Sequence, residues 1–385
     1  MNLSNSIHSF NRLLSCFSLY LGFLSYYLGP LSFTSFILYL ISMVVGLFSI
    51  SQSLKVKNKS LIIGLCIIFF FLISLIQFPN FLIALNSFRF FFGIVFLIPI
   101  MKFLEHRDII RLTQFLILLT ILEKISIFIA PQLVTILPNY MGSFNADMAK
   151  FFVGVNSFGA SRSNTSVIFL ALAVYLRTIS QFKLSYWCFA MSILAFSTTG
   201  LLILGLLIIF FVIQKFIISI LRKKATARGL IAYFILLSCF MYFVYLVFYY
   251  FQVGGTDFDR FSFQYVWLIF DYKLVLLLSN IENISVFEFL FGRGSGDMKI
   301  VNSFQLTGNQ LGDFIYLDML YRYGVIPSIL FIFFCTTITK DKNNRFPIFI
   351  LLFGSLHYFP AFCIPGQILI ATFINLKKPQ YRLTN

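Results

Sequence analysis

The chain has 385 residues, of which 59% are hydrophobic and 11% charged, and its mean hydropathy is +0.92. Roughly a quarter of the residues in a soluble globular domain are charged, so this composition argues against an ordinary soluble fold. The net charge of +16 raises nucleic acid as a partner, but the basic residues sit in short clusters between apolar runs, which excludes a continuous basic footprint.

In chain order, the apolar runs predict an all-α, polytopic membrane helix bundle, because backbone groups in lipid need internal partners and the runs are too continuous for barrel strands. Spans are expected near 12–28, 31–50, 60–78, 86–103, 112–130 and 164–180. They continue near 184–198, 200–221, 229–250, 312–338, 346–362 and 364–376. That makes about twelve transmembrane helices, or eleven if closely spaced runs merge, each near the 20 residues a bilayer core requires. The first apolar segment has no small-residue cleavage pattern after it and is expected to be retained. The clusters Lys55, Lys57 and Lys59, then Arg222, Lys223, Lys224 and Arg228, then Lys340, Lys342 and Arg345, then Lys377, Lys378 and Arg382 fall on one side. With the N-terminus inside, that side receives about 20 of the 29 Lys and Arg residues, and the positive-inside rule then places both termini in the cytoplasm.

The whole chain, 1–385, reads as one integral membrane domain. Two long loops fall on the opposite, outer side, at 131–163 and 251–311. Long connections in compact proteins are usually functional or disordered, and the second carries Trp267, other aromatics and paired charges. The six cysteines have no CxxC spacing and the three histidines lie far apart, so no metal site and no disulfide framework is expected. No cofactor motif is present either.

Few ionisable residues lie away from the basic clusters, and such residues inside apolar surroundings are costly and usually paired or functional. Arg89 opens the fourth run in NSFRFFFG. Glu123 and Lys124 lie in the fifth. Arg162 closes the first long loop in GASRSN, and Arg260 lies early in the second in TDFDRFSF. Arg293 and Asp297 belong to FGRGSGD, while Asp313, Asp318 and Arg322 belong to GDFIYLDMLYRYG. Asp318 and Arg322 are four apart and share a helix face. They form either a structural ion pair or one wall of a polar cavity for an anion. FGRGSGD is either a tight turn or a glycine-rich anion cradle with a two-pronged arginine; it lacks the GK[ST] of a P-loop. The turn at Ser197–Gly200 reads as a polar connection between two runs.

Together these features resemble the O-antigen polymerase (Wzy) family and the related O-antigen ligases. The resemblance is sharpest from about 250 to 332. There Arg260 is followed by LFGRGSG at 290–296, the polar-to-aromatic stretch GNQLGDFIYLDML at 308–320, and YGVIP at 323–327. AFSTTGL at 195–201 is similar to the family's Ser–Arg–x–Gly turn, with Thr198 where the arginine stands. GASRSN at 159–164 is similar to its Arg- and Asn-containing entry to a span. The long loop has no histidine, unlike the ligases, and no Arg-x10-Gly pattern is present.

The resemblance implies a GT-C-like fold and a metal-independent glycosyltransferase without cofactors. It would move a growing glycan from undecaprenyl pyrophosphate to an incoming lipid-linked repeat unit, at the outer face of the bacterial inner membrane. Asp313, Arg260 and Arg293 would be catalytic, and Arg89, Arg162, Asp297, Asp318 and Arg322 would bind substrate. The implied partners are undecaprenyl-pyrophosphate-linked oligosaccharides, membrane lipid and, as a further candidate, a chain-length regulator protein; nucleic acid is not among them. Trp267, Phe263, Tyr316 and Tyr321 are candidates for stacking on sugars. The competing expectations are a lipid-linked oligosaccharide flippase, a capsule polymerase, or an O-antigen ligase.

Overall fold

A computed structural model describes residues 3–25, 37, 89–129, 162–195, 197, 199–208, 211, 284–292, 315–339, 341–356 and 360–376. Every regular element among them is helical. In chain order these are α1 (Leu3–Leu24), α2 (Ile94–Met101), α3 (His106–Ile129), α4 (Arg162–Thr178) and α5 (Phe182–Leu194). They continue with α6 (Val286–Phe291), α7 (Ile315–Tyr323), α8 (Val325–Thr337), a 3-10 turn (Lys342–Asn344), α9 (Arg345–Gly354) and α10 (Ile364–Asn375). Residues 89–92 and 199–208 are also helical.

The helical class agrees with the sequence, but the expectation of about twelve membrane-spanning helices is corrected. Among the described residues, no helix is long and apolar enough to cross a membrane. The reason differs by segment. At 1.5 Å per residue, the 24 residues of α3 have the length, but the helix opens HRDIIR and carries Glu123 and Lys124 in its second half. The 22 residues of α1 include Ser, Asn, His and Arg12. Other runs break. The run expected at 312–338 divides into 9 and 13 residues at Gly324, and the one expected at 346–362 stops after 10 residues at Gly354. A helix of 17 residues, α4, replaces the run expected at 164–180. The GT-C-like arrangement rested on the same spans and is corrected with them.

The core is built around α4, whose side chains from Ser163 to Leu176 are all buried. Fully burying a Leu, Ile or Phe is worth roughly 1.5–3 kcal/mol, so Ile168, Phe169, Leu170 and Leu172, all 0% exposed, make this helix the axis of the packing. Antiparallel to it runs α5, after a tight turn in which Ser180 has φ +62° and the Gln181 amide donates to the Leu176 carbonyl at 2.8 Å. Serines stitch the pair. Ser185 donates to the Ala173 carbonyl, and Ser166 donates to the Ser192 carbonyl, both at 2.8 Å.

These contacts define two ends. At one, the Tyr175 hydroxyl meets His106 Nδ1, and the Tyr175 ring packs on Phe373 at 4.8 Å. The Asn375 amide donates to the Ile98 carbonyl at 2.7 Å there, and the Asn344 amide donates to the Phe373 and Leu376 carbonyls. Arg12 joins α1 to the same end through Glu105 at 3.0 Å and Asp108 at 3.2 Å. At the other end, Ser197 Oγ bonds Ser163 Oγ at 2.9 Å, and the turn after α9 brings Pro360 against Gly354 and Val167.

Candidate functional site

The second end is where the described candidate residues gather. Arg89 opens the helical stretch before α2 and is half-buried; Arg322 lies in the last turn of α7 and is half-buried too. Their segments are brought together by aromatic packing. The rings of Phe91 and Phe92 meet Tyr323 edge-on at 5.5 and 4.9 Å. Offset and edge-on aromatic pairs add about 0.5–1.5 kcal/mol beyond their buried area. Gln367 fixes the same segment from α10. Its buried side-chain nitrogen donates to the carbonyls of Phe90 at 2.7 Å, Phe362 at 2.8 Å and Arg89 at 3.3 Å.

The FGRGSGD segment reaches this end through its first glycine. The short helix α6 is closed at its start by a reciprocal capping box, in which Ser285 Oγ accepts from the Glu288 amide and Glu288 Oε2 accepts from the Ser285 amide. It ends at Gly292, φ +86° and ψ 167°; α7 ends at Gly324, φ +81° and ψ 179°. The two glycines lie backbone against backbone. A Cβ on Gly292 would collide with the Arg322 carbonyl and the Tyr323 Cα, and a Cβ on Gly324 would collide with the Leu290 carbonyl and the Gly292 nitrogen. This double approach locks the residue before Arg293 onto the residues flanking Arg322.

That geometry changes the role expected of the first glycine. The Gly292 amide donates to the Glu288 carbonyl at 2.7 Å, and the Gly324 amide donates to the Leu320 carbonyl at 2.8 Å. Both amides close helices and so do not cradle an anion. At these two positions glycine serves close backbone contact.

Arg162 opens α4. The following Ser163 and Ser166 are tied to Ser197 and Ser192, and Gly200 lies so close that its Cβ would overlap Ser166 Oγ. Ser197 and Gly200 are therefore neighbours of Ser163 and Ser166 at the start of α4, which their sequences did not reveal. Asp318 lies on α7 four residues before Arg322; its side chain, and hence their pairing, lies outside the described residues. Arg260, Arg293, Asp297 and Asp313 lie outside them as well, as do Trp267 and Phe263. Of the aromatics offered for sugar stacking, Tyr321 is 5% exposed. Tyr316 donates its hydroxyl to the Leu352 carbonyl and packs edge-on against Phe362. Both belong to the packing of α7 rather than to an open surface. Among the described residues, no three His, Cys, Asp or Glu side chains group as metal ligands.

Sequence reading missed Gln367 and the backbone contact that Gly324 makes. Gln367 is the one amide side chain in the apolar run IPGQILIA, and an isolated buried amide must find partners; that signal was available. Nothing in YRYGV marked Gly324 as half of a backbone contact with a segment thirty-odd residues earlier.

Comparison with protein-family models, with characterised proteins and with solved structures finds no match.

Proposed function

We propose that the chain is a polysaccharide polymerase: it transfers a growing glycan from undecaprenyl pyrophosphate to an incoming lipid-linked repeat unit. The observation that carries the reading is the convergence of the Arg89 segment, the Arg322 segment and Gly292, the residue before Arg293, at one end of the packed helices. The LFGRGSG and GNQLGDFIYLDML motifs, which resemble the O-antigen polymerase family, supply the substrate class.

In this reading an acceptor hydroxyl attacks the anomeric carbon of the donor. Its oxygen forms the new glycosidic bond, the bond from that carbon to the pyrophosphate oxygen breaks, and undecaprenyl pyrophosphate leaves. A carboxylate accepts the hydroxyl proton; Asp313 is the first candidate and Asp297 the second. Arginines aimed at the leaving group stabilise the negative charge as it develops, which assigns Arg260, Arg293 and Arg322 to the pyrophosphate, with Arg89 and Arg162 beside them. Asp318 orients Arg322. Since the leaving group is already activated, the transfer runs without a nucleotide, metal or other cofactor. The site of action is the outer face of the bacterial inner membrane, and a chain-length regulator is a candidate partner.

The test is to express Arg260→Ala, Arg293→Ala and Arg322→Ala singly in a polymerase-null strain and to run lipopolysaccharide ladders. Single capped repeat units are expected, with lysine restoring charge but not two-pronged geometry. Full-length ladders from all three variants would overturn the arginine site. Loss of all surface glycan on deleting the gene would mark a transporter instead.

A further inference from the structure

The end opposite the candidate site carries a second feature. Lys102 follows α2, and Arg107 and Arg111 lie in the first turns of α3; all three are exposed. Through the Tyr175–His106 bond, the end of α4 reaches the same place with exposed Arg177, and after the tight turn α5 begins with exposed Lys183. The Asn344 bonds to Phe373 and Leu376 bring exposed Arg345 there too. Among the described residues, the nearby acidic groups are Glu105, engaged by Arg12 and by Arg107 at 3.9 Å, Asp108, engaged by Arg12, and Asp341, which accepts from the Asn343 amide. The surplus of positive charge faces outward.

Large aromatics stand in the first two turns of α5, beside Lys183. Phe182 is 50% exposed, Tyr186 63% and Trp187 56%. Further from this end, the exposed residues become aliphatic. On α3 they are Leu118, Leu122, Ile125 and Ile129, one face of the helix, and on α5 they are Ile193 and Leu194. On α5 the order is cation and rings, then hydrocarbon, and on α3 it is cation, then hydrocarbon, over about 15–30 Å at 1.5 Å per residue. A nucleic-acid surface would need the cations but not the aliphatic flank. A phospholipid monolayer presents phosphates, an interfacial layer and acyl chains in that same order.

We propose that this end docks on the headgroup layer of anionic phospholipid, with Phe182, Tyr186 and Trp187 as its interfacial anchors. The proposal rests on the membrane localisation in the reading above and not on the transfer chemistry, so ladders and lipid binding can fail separately. Near an anionic surface each Lys or Arg contributes about 1 kcal/mol, which corresponds to about a fivefold preference for anionic over zwitterionic lipid per cation.

The experiment uses the full chain in mild detergent, with added phosphatidylglycerol or phosphatidylcholine brominated in the upper acyl chain. The Trp187 signal is the fluorescence difference between the parent chain and Trp187→Phe. Stronger quenching by the phosphatidylglycerol is expected. That preference should fall by up to about a hundredfold, about fivefold per cation removed, in an Arg177→Ser, Lys183→Ser, Arg345→Ser variant and should weaken at high salt, while free inorganic phosphate or glycerol phosphate at equal concentration leaves it in place. Equal quenching by the two lipids, no quenching by either, or an unchanged preference in the triple variant would overturn the proposal. So would displacement of the lipid by free phosphate or by duplex DNA at matched charge. Should the triple variant fail to fold, Lys183→Ser alone carries the same comparison.

Discussion

Alanine at Gly292 or Gly324 should damage the protein out of proportion to its one methyl group. Both glycines occupy a region of positive φ and extended ψ, at +86°, 167° and +81°, 179°. That region is essentially closed to residues with a Cβ, at a cost of about 1–3 kcal/mol each. A second cost adds to it. The colliding atoms are backbone atoms of Arg322 and Tyr323 in one case and of Leu290 and Gly292 in the other, and these cannot rotate aside as a side-chain tip can. Gly205 is the control, since a Cβ there meets nothing within 4 Å. In the helical stretch 199–208, alanine at that position is expected to be neutral or to stabilise by about 0.4–1 kcal/mol.

The assay is thermal unfolding of the detergent-purified chain, read by a maleimide dye that fluoresces on capturing thiols. Cys188, Cys335 and Cys363 are buried and free, so they report unfolding. At about 2–4 °C per kcal/mol for a domain of 150–250 residues, Gly292→Ala and Gly324→Ala should each lower the midpoint by several degrees, and Gly205→Ala should not. Because the two glycines make one contact, the double variant should lose less than the two single losses together. Equal midpoints for Gly205→Ala and the other two, or strictly additive losses, would refute the backbone contact as the joint of the site.

Gln367→Leu removes the donor shared by the Phe90 and Phe362 carbonyls and should cost about 1–3 kcal/mol for unsatisfied buried groups. Gln367→Glu should be worse in the same assay, because it turns an acceptor toward carbonyls; a tolerated glutamate would refute the role of the amide as donor to them. At the opposite end, Asp108 is 6% exposed, bonds Arg12 and also accepts from the Glu105 amide at 2.9 Å. Asp108→Ala should therefore cost about 1.5–3 kcal/mol. Glu105, 53% exposed at its contact with Arg12, should cost no more than about 0.2–1 kcal/mol. Equal midpoints for the two alanine variants would contradict this ranking.

Helical content was legible because the apolar runs are long and uninterrupted by strand punctuation. Where helices stop was not. Gly324 with Pro327 three residues on is a helix-stop signal, but the apolar run after it hid the break, and its contact with the Leu290–Gly292 segment shows only in the packing. The candidate site was half legible. Charge sparsity singled out Arg89 and Arg322, since a lone arginine among apolar residues is conspicuous. Their convergence was not visible, because it depends on Phe91, Phe92 and Tyr323. In a chain with 53 Phe and 19 Tyr, three more rings carry no signal. Serines behaved the same way: Ser163, Ser166, Ser192 and Ser197 read as ordinary helix and turn residues until their hydroxyls met across two helices.

Exposure separates two uses of positive charge in one molecule. At the end bearing Lys102, Arg107, Arg177, Lys183 and Arg345, the cations are exposed. Water and salt screen them, so they suit a surface that rewards many weak contacts at once. At the other end Arg89 and Arg322 are half-buried, on segments packed together through Phe91, Phe92, Tyr323 and Phe362. An effective dielectric near 20 rather than 80 makes a charge at 4 Å worth about four times as much. Under the proposed reading, that is the setting in which a guanidinium would stabilise charge appearing on a leaving pyrophosphate. It also explains why the site is built with glycine backbone contacts and ring packing rather than with many charges. The paired glycines, Gln367 and the Tyr323 cluster hold the two segments together by contacts that add no charge.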